Sequence, residues 1–396
     1  MLQMKIARID VFQVDLPYIG GVYHLSAGRT YTSFDATIVR ITTEDGTEGW
    51  GESTPFGSTY IASHALGVRA GIAEIAPKLI GLDPRRVDRI NDAMDAALVG
   101  HEHAKTALDV ACWDIFGKST GLPVCELLGG RTDAEMPVID SIHVGTPQDM
   151  RERVAKFRAQ GYKAHSLKIE GEPIADAARI MESVADRQPG EFFLVDANGG
   201  LTVETGLRLL RLVPALDFVL EAPCKTRREC LSLRRRTNIP MIMDELATDD
   251  ASVVQLIADD AIEGIGLKIS KAGGLTRGRR SVQQSTHLST FGHYAFGIAL
   301  PSHVRVHANI GAVREMSVWP PGLPSAYRKQ LGKALNHRAL DTFVHTKKAL
   351  LTIMFMARSS DIAFAAIVHL GQVSPLSFST NACRGLQPCL NASQLD

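Results

Sequence analysis

The chain has 396 residues, which is enough for two domains and a large buried core. Its 43 basic and 43 acidic residues cancel, so its charge gives no reason to expect a nucleic acid or an anionic membrane as partner. No apolar run approaches the ~18 residues of a spanning helix. The first residues, MLQMKIARID, lack the apolar core of a secretory signal, so we expect a cytoplasmic protein with scattered, reduced cysteines.

The N-terminal part gives strand signals first and helix signals afterwards. MKIARIDVFQVDLP and ATIVRITTEDGTEGWGES are typical of antiparallel strands, with a turn signal at Asp45-Gly46. GVRAGIAEIAPKLI and HEHAKTALDVACWDIFGKSTG are typical of amphipathic helices. His101 and His103 precede the second helix, away from any strand end, and we interpret both as packing or solvent residues.

Farther along the chain, three short apolar strands end in carboxylates. Asp196 ends FFLVD, Glu221 ends FVLE and Asp244 ends MIMD, at intervals of 25 and 23 residues. Helix-like stretches lie between them, and strand–helix units at a steady interval indicate a parallel α/β fold. Any one of these carboxylates alone is typical of a turn or a helix cap.

In a closed (β/α)8 barrel the ends of neighbouring strands meet on one face, where active sites lie. Three carboxylates on that face repel one another unless a cation lies between them. Carboxylate oxygens are ligands that suit Mg²⁺. The sequence therefore predicts that Asp196, Glu221 and Asp244 bind Mg²⁺.

Two lysines bracket the carboxylates along the chain. YKAHSLKIE places Lys168 on a strand 28 residues before Asp196, and EGIGLKISKAGG places Lys268 on a strand 24 residues after Asp244. A single strand lysine is usually an edge residue or one that reaches out to solvent. A pair around a metal suits acid–base chemistry instead, because a neighbouring divalent cation disfavours the ammonium form. Together, the three carboxylates and the two lysines predict an enzyme that removes a proton α to a substrate carboxylate.

With these five residues in this order, the chain resembles the mandelate racemase/muconate lactonizing group of the enolase superfamily. The resemblance implies a (β/α)8-type barrel, a modified TIM barrel, with an N-terminal α+β capping domain. It also implies that the three carboxylates hold Mg²⁺ and that Lys168 and Lys268 are the acid/base residues. Where the family has K-x-K, this chain has Ser166-Leu167-Lys168, so Ser166 is expected to contact the substrate.

The same resemblance implies two specificity loops in the capping domain. These are VYHLSAGRTYTSFDA and GESTPFGSTYIASH, and Tyr60 in the second is expected to contact the substrate. A small amino-acid substrate and a homo-oligomer are also implied.

Within the family, GWGESTPFGSTYIASHA, VLEAPC and GLKISKAGGLTRGRR resemble enzymes that dehydrate cis-3-hydroxy-L-proline and related hydroxyproline-betaine epimerases. In the cis isomer the hydroxyl and the α-hydrogen lie on opposite ring faces, so loss of water needs a base on one face and an acid on the other. An epimerase needs the same pair of lysines. The sequence leaves both reactions open, with the dehydratase as the first choice.

The composition changes after residue 280. Residues 281–358 hold six of the thirteen histidines, nine Lys or Arg residues and two acids, and they lack the strand–helix interval. The family-like phrase SDIAFAAIVHLGQ then follows at residues 360–372. The segment is either a basic, partner-binding insertion or sequence that does not descend from the family, and we favour the second.

We therefore divide the chain into a capping domain at 1–130, barrel units carrying the site at 131–280, the atypical segment at 281–358, and a barrel remnant with an atypical tail at 359–396. The seventh and eighth barrel strands are expected to be incomplete. A catalytically defunct, barrel-derived binding protein is accordingly the alternative to an enzyme.

Overall fold

A computed structural model describes residues 4–18, 21–25, 28–130, 138–213, 216–288, 351–355 and 364–368. These residues form an N-terminal α+β domain and a barrel of strands and helices, so the predicted architecture is confirmed. Among the helices of these residues, none combines the length and the apolar character that crossing a membrane would require.

The N-terminal domain is built on a three-stranded antiparallel sheet. Its strands are β1 (Ile6–Pro17), β4 (Ser33–Thr43) and β5 (Glu48–Ser53), in that order, and β2 (Tyr23–His24) pairs with β3 (Thr30–Tyr31) in a separate hairpin. Its helices are α1 (Ala65–Ile75), α2 (Val87–Ala97), α3 (Glu102–Thr120) and α4 (Val124–Leu127), with a 3₁₀ turn at Ala76–Lys78. The predicted turn joins β4 to β5, with Gly46 at a φ of 83°, where glycine is favoured.

The second predicted helix, α3, forms but is not amphipathic. It is buried over most of its circumference because it lies between the sheet of its own domain and the barrel. On the barrel side the buried Asp109 carboxylate accepts a hydrogen bond from the backbone N of Thr276 at 3.1 Å, and the indole of Trp113 donates to the Thr276 hydroxyl at 2.9 Å. Helix α3 therefore connects the two domains through buried hydrogen bonds.

On the other side of α3, glycines in β5 allow close packing. A Cβ atom at Gly51 would overlap the backbone carbonyl of Ala107. We expect Gly51→Ala to lower the free energy of unfolding by about 1–3 kcal/mol, the usual cost of overpacking. Gly278→Ala is the control, because a Cβ atom there would lie 3.8 Å from its nearest neighbour, Ile269 Cγ1, and a helical alanine gains about 0.5–1 kcal/mol over glycine. Thermal unfolding of both variants measures the difference, and equal effects would contradict this account of the packing.

The barrel alternates strands and helices as the sequence intervals predict. Its strands are β6 (Val138–Ile142), β7 (Ala164–Lys168), β8 (Phe192–Asp196), β9 (Val219–Glu221), β10 (Met241–Met243), β11 (Gly264–Lys268), β12 (Leu351–Phe355) and β13 (Phe364–Val368). Its helices are α5 (Pro147–Ala159), α6 (Pro173–Val184), α7 (Val203–Leu212), α8 (Arg227–Arg234), α9 (Asp250–Ala258), α10 (Ile269–Ala272) and α11 (Leu275–Leu288).

The eight described strands close into a barrel, and the barrel is irregular at its last two strands, where the sequence predicts a defect. Strands β6 to β11 are parallel neighbours in chain order, β12 and β13 follow, and β13 pairs with β6. The departure from a (β/α)8 barrel lies in direction, because β12 runs antiparallel to both β11 and β13. Most of residues 281–358, and the tail after residue 368, lie outside the described residues, so the interpretation of that segment stays a prediction.

Side-chain alternation along the strands places the functional residues on the inner face. Inside the barrel, Leu194, Val219 and Ile242 belong to an apolar layer. Side chains two positions apart point to the same side of a strand. Asp196, Glu221 and Asp244 each come two residues after a member of this layer, so they form the next layer at the strand ends.

Candidate active site

The three carboxylates and two lysines predicted from the sequence line one cavity at the carboxyl ends of the strands. Asp196 is the direct register partner of Lys168 on one side and of Glu221 on the other. Asp244 follows the last residue of β10, and Lys268 ends β11. The carboxylates are buried, with exposed fractions of 1%, 2% and 3% for Asp196, Glu221 and Asp244.

Lysine ammonium groups contact two of the three carboxylates. Lys168 donates to Asp196, and Lys268 donates to Asp244. A third lysine, Lys271, donates to the other oxygen of Asp244 at 2.5 Å and is itself buried. Lys271 was not predicted as a site residue, although its position three residues after Lys268 in KISKAGG was a usable signal. Asp244 is thus held between two cations.

Glu221 sits where negative charge accumulates. Burial raises its pKa well above the ordinary value, and the charges of Asp196 and Asp244 raise it further. Glycine at position 266 allows both carboxylates to approach β11 closely, since a Cβ atom there would lie only 3.2 Å from Glu221 Oε1 and 3.0 Å from the Asp244 Cβ. The cluster therefore contains a buried carboxylate, Glu221, whose charged form is disfavoured by burial and by its two carboxylate neighbours.

The donor set fits Mg²⁺ in charge and chemistry. Three buried carboxylates offer hard oxygen ligands, and their mutual repulsion, seen in the raised pKa of Glu221, is what a divalent cation relieves. Within the described residues, however, no three His, Cys, Asp or Glu side chains are arranged to hold a metal ion. Lysines contact Asp196 and Asp244 in this arrangement, so metal binding would require these contacts to be exchanged. The assignment of the three ligands stays a prediction.

The same contacts control the charge of the two lysines. Burial favours the neutral amine of Lys168, but the negative charges of Asp196 and Glu221 and the hydrogen bond to Asp196 outweigh burial and raise its pKa. The pKa of Lys268 is also raised, because Asp244 and Glu245 outweigh burial. Both lysines are therefore ammonium ions while carboxylates face them. A lysine can act as a base only as the neutral amine. A cation bound to the carboxylates would favour that form, because it would offset the negative charge that raises the lysine pKa.

Two further polar residues complete the cluster, and the sequence analysis did not assign them. Asn198, with a φ of 45°, donates from its backbone N to Asp196 at 2.8 Å and from its side chain to Glu245 at 3.1 Å. Burial and then the charges of Asp244 and Asp196 raise the pKa of Glu245 to about 7. The signal for both was adjacency, since they follow metal-ligand candidates within two residues. Asn198 and Glu245 link the ends of β8 and β10.

The capping domain supplies the roof of the cavity. The Tyr60 hydroxyl donates to Asp244 at 2.8 Å and accepts from the Lys268 ammonium at 2.7 Å. Its ring packs edge-on against Phe56, with 5.7 Å between centroids, and Phe56 also contacts Tyr23 and Tyr31. Tyr60 therefore lies over the reactive groups in an aromatic cluster drawn from both predicted specificity loops. Its contact with substrate stays a prediction.

Ser166 and His103 also line the cavity. Ser166, predicted to contact substrate, is buried beside Lys168, and its hydroxyl has no hydrogen-bond partner among the described residues. His103, interpreted from the sequence as a packing or solvent residue, is buried and also lines the cavity, because α3 packs against the segment after β11 and brings the imidazole there. His101 is exposed, as predicted.

Comparison with known proteins identifies the family of the chain. The family model for the mandelate racemase/muconate lactonizing enzyme N-terminal domain matches residues 17–129, and the enolase C-terminal domain-like model matches residues 149–338. A cis-3-hydroxy-L-proline dehydratase from Roseibium aggregatum is 42% identical, over 70% of this chain and 75% of its own length. An N-succinyl-L-Arg/Lys racemase from Bacillus cereus is 28% identical, over 69% of this chain and 74% of its own length.

Solved structures share the fold. One from Aspergillus oryzae, assigned to the mandelate racemase/muconate lactonizing enzymes, is 72% identical with a TM-score of 0.68, covering 71% of this chain and 76% of that one. Another solved structure comes from Roseovarius nubinhibens and is complexed with magnesium. It is 52% identical with a TM-score of 0.68, and the match covers 72% of this chain and 77% of that one. The chain belongs to the mandelate racemase/muconate lactonizing enzyme family of the enolase superfamily.

Proposed function

We propose that the protein is a Mg²⁺-dependent dehydratase that removes the α-proton of an amino acid and eliminates its β-hydroxyl, with cis-3-hydroxy-L-proline as substrate and a pyrroline-2-carboxylate as product. The observation that carries the proposal is the pair of lysines on opposite sides of a buried carboxylate cluster, Lys168 on β7 and Lys268 on β11. The 42% identity to a dehydratase of this substrate supports the choice of reaction.

In the proposed mechanism, the neutral amine of Lys168 takes the α-proton. The electron pair of the broken C–H bond forms the Cα–Cβ double bond, and the Cβ–O bond breaks. The Lys268 ammonium gives its proton to the departing hydroxyl, which leaves as water. Tyr60 accepts a hydrogen bond from Lys268 and orients its ammonium. The aromatic roof excludes water from the reacting atoms.

Asp196, Glu221 and Asp244 would hold the Mg²⁺ ion. When bound, it supplies Lewis-acid stabilisation of the negative charge that develops on the substrate carboxylate. With the carboxylates bound to a cation, Lys168 would lose the ion pair with Asp196 that keeps it an ammonium ion, and its amine would be available as the base.

Proton NMR in D₂O with Mg²⁺ and cis-3-hydroxy-L-proline tests the proposal. We expect loss of the substrate's C3 hydroxyl group together with its α-proton. Deuterium exchange at Cα without loss of water would favour an epimerase or racemase instead, a reaction that the same two lysines can perform and that the racemase relative makes the second candidate. Soluble, folded protein that performs neither reaction on this substrate would contradict the dehydratase proposal.

A further inference from the structure

His103 reaches the cavity because α3 is anchored on the segment that follows β11. The Thr106 hydroxyl, one turn after His103, donates to the backbone carbonyl of Ser270 at 3.0 Å. Arg277 donates to Glu102 at 2.9 Å. Residues three apart on a helix share a face, so His103 is presented to the same side, where Lys268 lies. The capping domain thus places an imidazole on the Lys268 side of the cavity.

One ring nitrogen of this imidazole has a hydrogen-bond partner among the described residues, and the other has none. The His103 Nδ1 lies 3.3 Å from the Ser53 hydroxyl oxygen. Its Nε2 is buried and has no hydrogen-bond partner among the residues the structure describes. Native proteins rarely leave a buried polar atom unpaired, since it loses its hydrogen bonds to water without replacement. Packing alone does not account for this side chain, because an apolar residue would fill the space without that cost.

The imidazole is neutral at physiological pH. Burial lowers the pKa of His103 to about 4, and the nearby charges of Lys271 and Lys268 act in the same direction. A neutral imidazole has one donor and one acceptor nitrogen. A hydroxyl group both donates and accepts, so it can pair with Nε2 in either tautomer. A carboxylate only accepts hydrogen bonds and an ammonium group only donates them, so each can pair with Nε2 in only one of the two tautomers.

We propose that His103 is a specificity-determining residue that binds the β-hydroxyl of the substrate through Nε2. The inference rests on the proposed function, which places the departing hydroxyl beside Lys268. His103 holds this hydroxyl toward the proton donor and makes the cavity select substrates that carry it. Substrates without the hydroxyl leave Nε2 unpaired, and a site built to pair a hydroxyl rejects ligands that lack it.

Calorimetric titration of the full chain with Mg²⁺ tests this inference. The Lys168→Ala background prevents turnover, and the two ligands are cis-3-hydroxy-L-proline and L-proline, which lacks the hydroxyl. The ratio of their Kd values measures the preference for the hydroxyl. We expect His103→Leu to reduce this preference about tenfold or more, and His103→Gln, whose amide can still hydrogen-bond, to retain part of it. The control is His101→Asn, an exposed position with a φ of 57° that asparagine tolerates, and its preference should not change.

Equal weakening of both ligands by His103→Leu would make His103 a structural residue and overturn the inference. An unchanged preference, or no binding of either ligand when His103 is intact, would overturn it as well. The proposed function is tested separately by turnover of the wild-type chain. A preference that depends on His103 in a protein without dehydratase activity would leave the binding assignment standing and reject the reaction.

Discussion

Lys168→Ala is expected to lower the rate of dehydration and of α-proton exchange together, by roughly 10³-fold, within the usual range for removal of a general base. Lys168 is the acid/base candidate on β7, directly beside Asp196. Both readouts should fall because each requires the α-proton to leave. They are measured in one experiment, by proton NMR in D₂O with Mg²⁺ and cis-3-hydroxy-L-proline.

Lys268→Ala should separate the two readouts. With Lys168 intact, the α-proton still exchanges with solvent deuterium, whereas elimination slows because the departing hydroxyl has lost its proton donor. Lys163→Ala is the matched control, since this lysine is exposed just before β7 and should have no effect. If Lys268→Ala instead abolished exchange and Lys168→Ala preserved it, the two roles would have to be reversed.

Glu221→Gln is expected to have opposite effects on the metal-free and the metal-bound protein. In the folded, metal-free state the pKa of Glu221 is raised by burial and by Asp196 and Asp244. A carboxyl with a raised folded pKa contributes stability at low pH and loses it as pH rises from the unfolded pKa through the folded one, so at pH 7 its ionisation opposes folding. Removing the charge should therefore raise the Tm by a few degrees in EDTA.

With Mg²⁺ the same change removes a charged ligand. Wild-type protein should gain thermal stability as Mg²⁺ is added, because binding to the folded state stabilises it by mass action. Glu221→Gln should lose most of this gain and nearly all activity. Glu204→Gln, at an exposed glutamate on α7, is the control and should keep both. A Mg²⁺-dependent rise in Tm that Glu221→Gln leaves intact would remove Glu221 from the ligand set.

Much of the barrel and of its site was accessible from local sequence. Short apolar strands followed by carboxylates recur at an interval set by one strand, one helix and two turns, and strand alternation then places Asp196, Glu221 and Asp244 on one face. Lys168 and Lys268 followed from the same pattern. These features depend on residues that are neighbours in sequence, which is why they can be read without a structure.

The parts that were missed depend on contacts between distant segments. His103 reaches the cavity only because α3 packs on α10, more than 160 residues away along the chain, and no local pattern encodes that contact. The burial of α3 on both sides has the same origin. The antiparallel direction of β12 could not be predicted, because the segment before it lacks strand–helix periodicity. Lys271 was visible but had no assigned partner until Asp244 was placed beside it.

The anchoring of α3 also limits how the capping domain can move. Asp109 and Trp113 are buried and bonded to Thr276 of the barrel, so the capping domain cannot swing away as a rigid body without breaking these bonds in a dry interface. The loop between β5 and α1 reaches the barrel through one side chain, Tyr60, which is bonded to Asp244 and Lys268, and within the capping domain its Thr59 hydroxyl pairs with that of Tyr31 at 2.8 Å. A ligand that approaches Lys268 and Asp244 from the roof of the cavity would therefore have to displace Tyr60, whereas the rest of the capping domain stays bonded to the barrel.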